Sequence, residues 1–177
     1  MSRQDGLDLL IQSIEELVQN RKRNDTDFVL IGGGTMLREL KSMVSTKNLD
    51  LFVKFTGQIP HSEVLRYLAA SDIGVAPDPK TPMNDNSTMI KLFEYMAFGL
   101  PIVLFDLKEG RRTAGAAALY AQPNDPVDFA AQIDRLLCNR QLREELGRTG
   151  RRQVEAHMNW DTEKISLLDA YSAAMRA

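Results

Sequence analysis

Two hydrophobic periods alternate along this chain. Residues 7–19 place Leu7, Leu10, Ile11, Ile14, Leu17 and Val18 at i, i+3, i+4 spacing, which predicts a helix with one apolar face. A basic triplet, Arg21-Lys22-Arg23, follows at its C-terminal end, where cations suit the helix dipole. Phe28-Val29-Leu30-Ile31 is then wholly apolar, the signature of a strand buried on both faces, as in parallel sheets. It runs into Gly32-Gly33-Gly34, and a helical pattern resumes through Leu37, Leu40, Met43 and Val44. The alternation repeats. Residues 51–56 read as a strand broken by Gly57, and residues 63–70 as a helix with Val64, Leu65 and Leu68 on its apolar face. Residues 73–76 form a short strand, and residues 77–85 a proline-rich polar loop. A helix is expected over 87–98, carrying Met89, Ile90, Leu92, Phe93 and Met96, with Gly99 at its C-cap. A strand at 101–105, a charged loop at 106–110 and a last short strand at 118–121 follow. Amphipathic helices at 125–137, 140–157 and 161–175 complete the chain.

Strands alternating with helices predict an α/β fold, a parallel sheet covered by helices on both faces. Ligands of such sheets bind outside the carboxyl ends of the strands. The loops to examine are therefore 32–35, 57–61, 77–88 and 106–112. Composition narrows the function classes. The 177 residues are 44% hydrophobic and 26% charged, an ordinary globular balance that excludes disorder and low complexity. Twenty-two Lys and Arg face 24 Asp and Glu, so no global basic footprint for nucleic acid exists. The single cysteine, Cys138, excludes an internal disulfide framework, and two histidines, His61 and His157, argue against a multi-histidine metal site. The longest apolar runs are too short to span a bilayer, and the opening MSRQDGLDLL lacks a basic-then-apolar leader pattern, so the expected address is the cytoplasm.

Two loops carry candidate chemistry. The triple glycine at 32–34 opens a helix and could let backbone approach a phosphate, although it completes neither a GxGxxG fingerprint nor a P-loop. The stretch NDNSTMIKLFEYMAFGLP, 84–101, says more. Asn86 or Ser87 is expected to cap the helix, leaving amides at a strand's carboxyl end where an anion would sit. Lys91 falls in the first turn, a position unfavourable for a cation unless an anion offsets it. Glu94 lies three residues on, on the same face. It either pairs with Lys91 or accepts hydrogen bonds from a vicinal diol such as a ribose. Tyr95 and Phe98 read as packing residues. His61 is expected at a turn facing solvent, His157 at a helix end, Cys138 as a small core residue and Trp160 as the anchor of the last helix.

The motifs VLIGGG at 29–34, VKFTGQIPHSEVLRYLAASDIGVAPDP at 53–79 and STMIKLFEYMAFGLPIV at 87–103 together resemble the C-terminal, nucleotide-sugar-binding domain of a GT-B fold glycosyltransferase of the retaining family 4, or group 1. DLKEGR at 106–111, ALYAQPND at 118–125 and the NW at 159–160 fit the same pattern. The resemblance implies a Rossmann-like sheet lacking its first strand, and a donor-binding role for the nucleotide. It assigns Glu94 to the ribose hydroxyls, amides of Ser87, Thr88 and Met89 to the donor phosphates with Lys91 beside them, and main-chain groups of Gln58 and Ile59 to the base. Where the family carries a second glutamate near the transferred sugar, this chain has Asn86, which can hydrogen-bond a sugar hydroxyl but cannot ionise; no catalytic residue is assigned. Gln4 and Asp5 stand near the place of the family's phosphate-binding cation.

The same resemblance implies one unit over residues 1–157 and a terminal helix at 158–177 that crosses toward an N-terminal acceptor-binding domain not contained in these residues. It further implies a UDP- or GDP-sugar as donor, no obligatory metal or cofactor, a hexosyl or other glycosyl transfer that this fragment does not perform alone, and exposed apolar surface suited to a homodimer. The alternative is a non-catalytic interaction or complementation module that reuses the fold. A nucleotide-sugar epimerase shares the architecture, but nothing in these loops points to it.

Overall fold

The computed structural model describes residues 1–176. In chain order its elements are α1 (Leu7–Glu15), β1 (Phe28–Ile31), α2 (Leu37–Thr46), β2 (Val53–Gly57), α3 (His61–Ala70), β3 (Gly74–Ala76), α4 (Ile90–Ala97), β4 (Ile102–Phe105), α5 (Lys108–Ala114), β5 (Ala118–Ala121), α6 (Pro126–Leu137), α7 (Arg140–His157) and α8 (Trp160–Ala174). A π-helical turn, Glu16–Asn20, extends α1. Every strand pairing is parallel, and the strands fall into two groups, β2-β1 and β3-β4-β5. The alternation of strand and helix expected from the sequence is therefore present.

β4 shows why the sheet needs helices on both faces. Val103 and Phe105 join one core with Ile11 and Ile14 of α1 and Phe129 and Ile133 of α6. Ile102 and Leu104 point the other way, into a second core with Leu92 and Met96 of α4 and the alanines that flank α5. Phe105 and Phe129 meet as a tilted aromatic pair, 4.8 Å between centroids. α4 and α7 cross closely enough that a Cβ at Gly147 would stand 2.0 Å from the Gly99 carbonyl oxygen, so a side chain there would force the two helices apart.

Local signals set several boundaries. Asp125 caps α6, accepting from the Val127 and Asp128 amides at 2.9 and 3.1 Å, with Pro126 at the first helical position. Asn139 and Asn159 cap α7 and α8 in the same way.

Four sequence expectations are corrected. The helix expected over 87–98 begins only at Ile90; Asn84–Asn86 form a separate 3-10 turn, and neither Asn86 nor Ser87 caps the helix. Their side chains instead donate back into the loop, to the Pro82 and Met83 carbonyls at 2.8 and 2.7 Å. The charged loop at 106–110 is largely helix. Gly110 lies inside α5 because a Cβ there would approach Leu104 Cδ1 to 2.7 Å, so this glycine serves close packing rather than a break. Cys138 is exposed at the end of α6, where it receives a contact from the Arg23 guanidinium, and is not a core residue. Trp160 is 67% exposed and anchors nothing: α8 buries none of its described residues.

Candidate functional site

The carboxyl ends of the strands gather the loops that the sequence singled out. Gly32, at φ +110°, and Gly57, at φ +68°, adopt backbone conformations that L side chains rarely reach. The Gly32 amide donates to the Gly57 carbonyl at 2.9 Å, tying the loops after β1 and β2 together. After β3, the loop from Pro77 is folded around Asn84, a buried side chain that donates to the Gln4 and Pro79 carbonyls, both at 3.0 Å. Asp85 fastens this loop to the start of α5 by accepting from the Lys108 amide at 2.9 Å.

Between β1 and β3 lies a cleft of about 460 Å³ whose carboxyl-end wall includes Asp5, Pro77, Lys91, Glu94 and Tyr95. α4 supplies three of those residues within one and a half turns. The pairing that the sequence left open is settled by the loop before α4. Lys91 Nζ donates to Asp78 Oδ1 at 2.7 Å, and Asp78 is only 3% exposed. Glu94 is half-buried and has no hydrogen-bond or ion-pair partner among the described residues, so it is not the partner of Lys91. Helical spacing suggested the i, i+3 pair; the chain reversal through Pro77-Asp78-Pro79 offers a nearer, drier carboxylate.

The electrostatics follow from this arrangement. Burial pushes the Asp78 carboxyl above its ordinary range, and the Lys91 ammonium only partly offsets that. Burial acts the same way on Asp5, but the Ser2 amide, Lys91 and the amino terminus together hold its carboxyl below the ordinary value. The Tyr95 hydroxyl is raised, first by complete burial and then by the Asp78 and Glu94 charges, and it donates to the Val75 carbonyl at 3.2 Å. Of the site residues, Lys91 and Glu94 thus share the cleft. Gln58 and Ile59 stand outside its lining, at the neighbouring carboxyl end of β2, and Ser87, Thr88 and Met89 lie in the extended approach to α4. The Ser87 amide is used by the Asn84 carbonyl at 3.3 Å, whereas the Thr88 and Met89 amides have no acceptor among the described residues. Thr88 Oγ1 lies 3.3 Å from Glu109 Oε2. Asn86 is exposed at the rim.

Sequence reasoning missed Asp78. Its signal was an acidic residue between two prolines just past a buried strand, thirteen positions from the lysine it serves. It also missed the pair Asp106–Arg111, 2.6 Å apart beyond β4, which lowers the Asp106 carboxyl and stacks the guanidinium 4.1 Å over Tyr120.

A family profile described as "Glycosyl transferases group 1" matches residues 1–139. The chain belongs to this family. Among curated relatives, the D-inositol 3-phosphate glycosyltransferase of Geodermatophilus obscurus is 28% identical over 178 residues, covering 94% of this chain and 37% of that protein. The GDP-mannose-dependent alpha-(1-6)-phosphatidylinositol monomannoside mannosyltransferase of Mycolicibacterium smegmatis is 25% identical over 176 residues, covering 97% and 46%. The chain spans less than half the length of these relatives. In structure it is similar to the sucrose-phosphate synthase of Thermosynechococcus elongatus, with TM-score 0.85, 23% identity and coverage of 99% of this chain and 43% of that one. Anabaena HepE in complex with UDP and glucose gives TM-score 0.84 at 16% identity, with coverage of 98% and 46%. At these identities the likeness shows the fold, that of GT-B glycosyltransferases, and the group 1 assignment rests on the profile. Among the described residues no helix is long and apolar enough to cross a membrane.

Proposed function

We propose that this chain is the donor-binding part of a group 1 glycosyltransferase, which moves a hexosyl or other glycosyl unit from a UDP- or GDP-sugar to an acceptor held by a separate N-terminal domain. The observation that carries the reading is Glu94. Its carboxylate faces the cleft half-buried, and the cation beside it is already committed to Asp78. A carboxylate so placed accepts two charge-assisted hydrogen bonds from the 2′- and 3′-hydroxyls of a ribose. The Thr88 and Met89 amides at the approach to α4 suit the diphosphate, with Lys91 behind them; main-chain groups of Gln58 and Ile59 suit the base; Asn86 at the rim suits the donor sugar. Chemistry on this side consists of holding and stabilising the leaving diphosphate, with no obligatory metal or cofactor. The pairing with printed GDP-mannose and UDP proteins supports a nucleotide-sugar donor. An exposed free thiol at Cys138 fits a cytoplasmic address.

The test is calorimetric titration with UDP, GDP and their 2′,3′-dideoxy analogues. Half of a cleft buries less of a ligand than a complete pocket, so roughly millimolar affinity is expected. Glu94→Gln keeps the shape and removes the charge. It should weaken the ribonucleotide about tenfold, equivalent to ~1.4 kcal/mol, and leave the dideoxy analogue nearly unchanged. A coupling near zero removes the donor-binding reading and advances the interaction module. With labelled nucleotide sugars and lipid or glycan acceptors, residues 1–177 by themselves should give no transfer above a heat-killed control, because only one of two substrates is oriented.

A further inference from the structure

β1 and β3 face each other across the cleft without pairing. Each has one partner only, β2 and β4 respectively. In a parallel ladder the N–H and C=O of one residue point to the same side, and successive residues alternate. The Phe28 amide bonds the Phe52 carbonyl on the β2 side, and the Gly74 amide bonds the Pro101 carbonyl on the β4 side. The backbone groups of Val29 and Ile31 on β1, and of Ile73 and Val75 on β3, therefore point into the space between the two strands. The Tyr95 hydroxyl at the Val75 carbonyl confirms this sense for β3. All four residues line the cleft, which continues toward the amino ends of the strands as a second cavity of about 420 Å³ sharing Val29, Leu30, Ile73 and Val75. Val29 is 40% exposed in a strand that is otherwise apolar and inward-facing.

Two open edges of the same direction, facing each other along a continuous apolar slot, are the geometry of a sheet with room for one more strand. We propose that this slot is a docking site for an extended segment of a second polypeptide, about four residues long within the slot, apolar on both faces and running parallel to β1 and β3. Parallel direction follows from the neighbours on both sides. Apolar character on both faces follows from the helices above and below, since Leu10 of α1 and Tyr67 of α3 both reach the slot. A separate polypeptide is the source because no stretch among residues 1–176 lies between β1 and β3. Main-chain hydrogen bonds to two edges at once would give more affinity than addition to a single edge, with the alternating side chains fixing register. This inference stands on the strand edges and does not depend on what Glu94 binds.

The experiment uses the 177-residue chain and a blocked heptapeptide, Lys-Val-Val-Ile-Val-Gly-Lys, with residue-resolved amide exchange by NMR. The expected result is at least tenfold slower exchange at Val29, Ile31, Ile73 and Val75, with no protection from a peptide N-methylated at alternate residues. Protection of these amides without peptide, together with a dimer in sedimentation, assigns the slot to a second copy and overturns the proposal. Protection only when the same heptapeptide is fused ahead of Met1 through a Gly-Ser linker overturns the separate-chain source. Absence of protection with either form overturns the slot as a strand site altogether.

Discussion

β1 and β4 are built from the same four residues in different order, Phe-Val-Leu-Ile and Ile-Val-Leu-Phe, yet they live in different surroundings. β4 is paired on both edges and buried at every position. β1 is paired on one edge, and its second residue is open to solvent. Composition therefore does not decide burial here. A strand becomes a core strand when sheet neighbours and helices close around it, and β1 retains the sequence of a fully enclosed strand beside a slot that nothing in residues 1–176 fills.

Substitutions can break this comparison at several strengths. Phe105→Ala removes the ring that meets Phe129 at the centre of the larger core and should cost about 3–5 kcal/mol, read as a lowered urea midpoint. If it costs no more than Val29→Ala, the contrast between the strands is wrong.

Next in size is the cleft beside the open edge of β3. Lys91→Met leaves Asp78 buried without its cation and should cost about 3 kcal/mol at pH 8. The sign with pH is fixed by the direction of the shift. Asp78 in the folded protein already binds its proton more tightly than when unfolded, and loss of Lys91 increases that difference. The stabilising preference for the protonated folded state is complete below the unfolded carboxylate range and disappears as pH rises through the folded value. The variant should therefore be closer to the parent at pH 4 than at pH 8. Asp78→Asn should cost less, about 1 kcal/mol, because Lys91 is 28% exposed and can turn toward water. Equal costs, or a flat difference across pH, would show that the pair is not buried as described.

The finest probe changes one atom in each strand. Val103→Thr puts a hydroxyl into a wholly buried position and should cost about 1–3 kcal/mol, whereas Val29→Thr should stay within about 0.5 kcal/mol. A docked strand in the slot would raise the second value toward the first, so the pair of variants also reports on occupancy.

Much of the candidate site was legible because it rests on local signals. The carboxyl ends of strands follow from the order of elements, and the 84–101 stretch carried Lys91 and Glu94 one turn apart. What escaped was non-local. Lys91 meets Asp78 through a turn at two prolines, the helix after Ser87 starts three residues late because Asn86 and Ser87 bond backward into the loop, and Cys138 is exposed although it ends an amphipathic helix. Each depends on a contact outside the window in which periodicity can be read.

The sequence alone determined the alternation of strands and helices, the helix caps at Asp125, Asn139 and Asn159, and the kinship with group 1 glycosyl transferases, since these follow from residue type, spacing and motif. Only the tertiary structure decided which apolar residues are buried, which carboxylate holds Lys91 and which strand edges remain open. Burial and ion pairing are relations between segments distant in the chain, and the same Phe, Val, Leu and Ile give a closed core in β4 and an open edge in β1 because their neighbours differ.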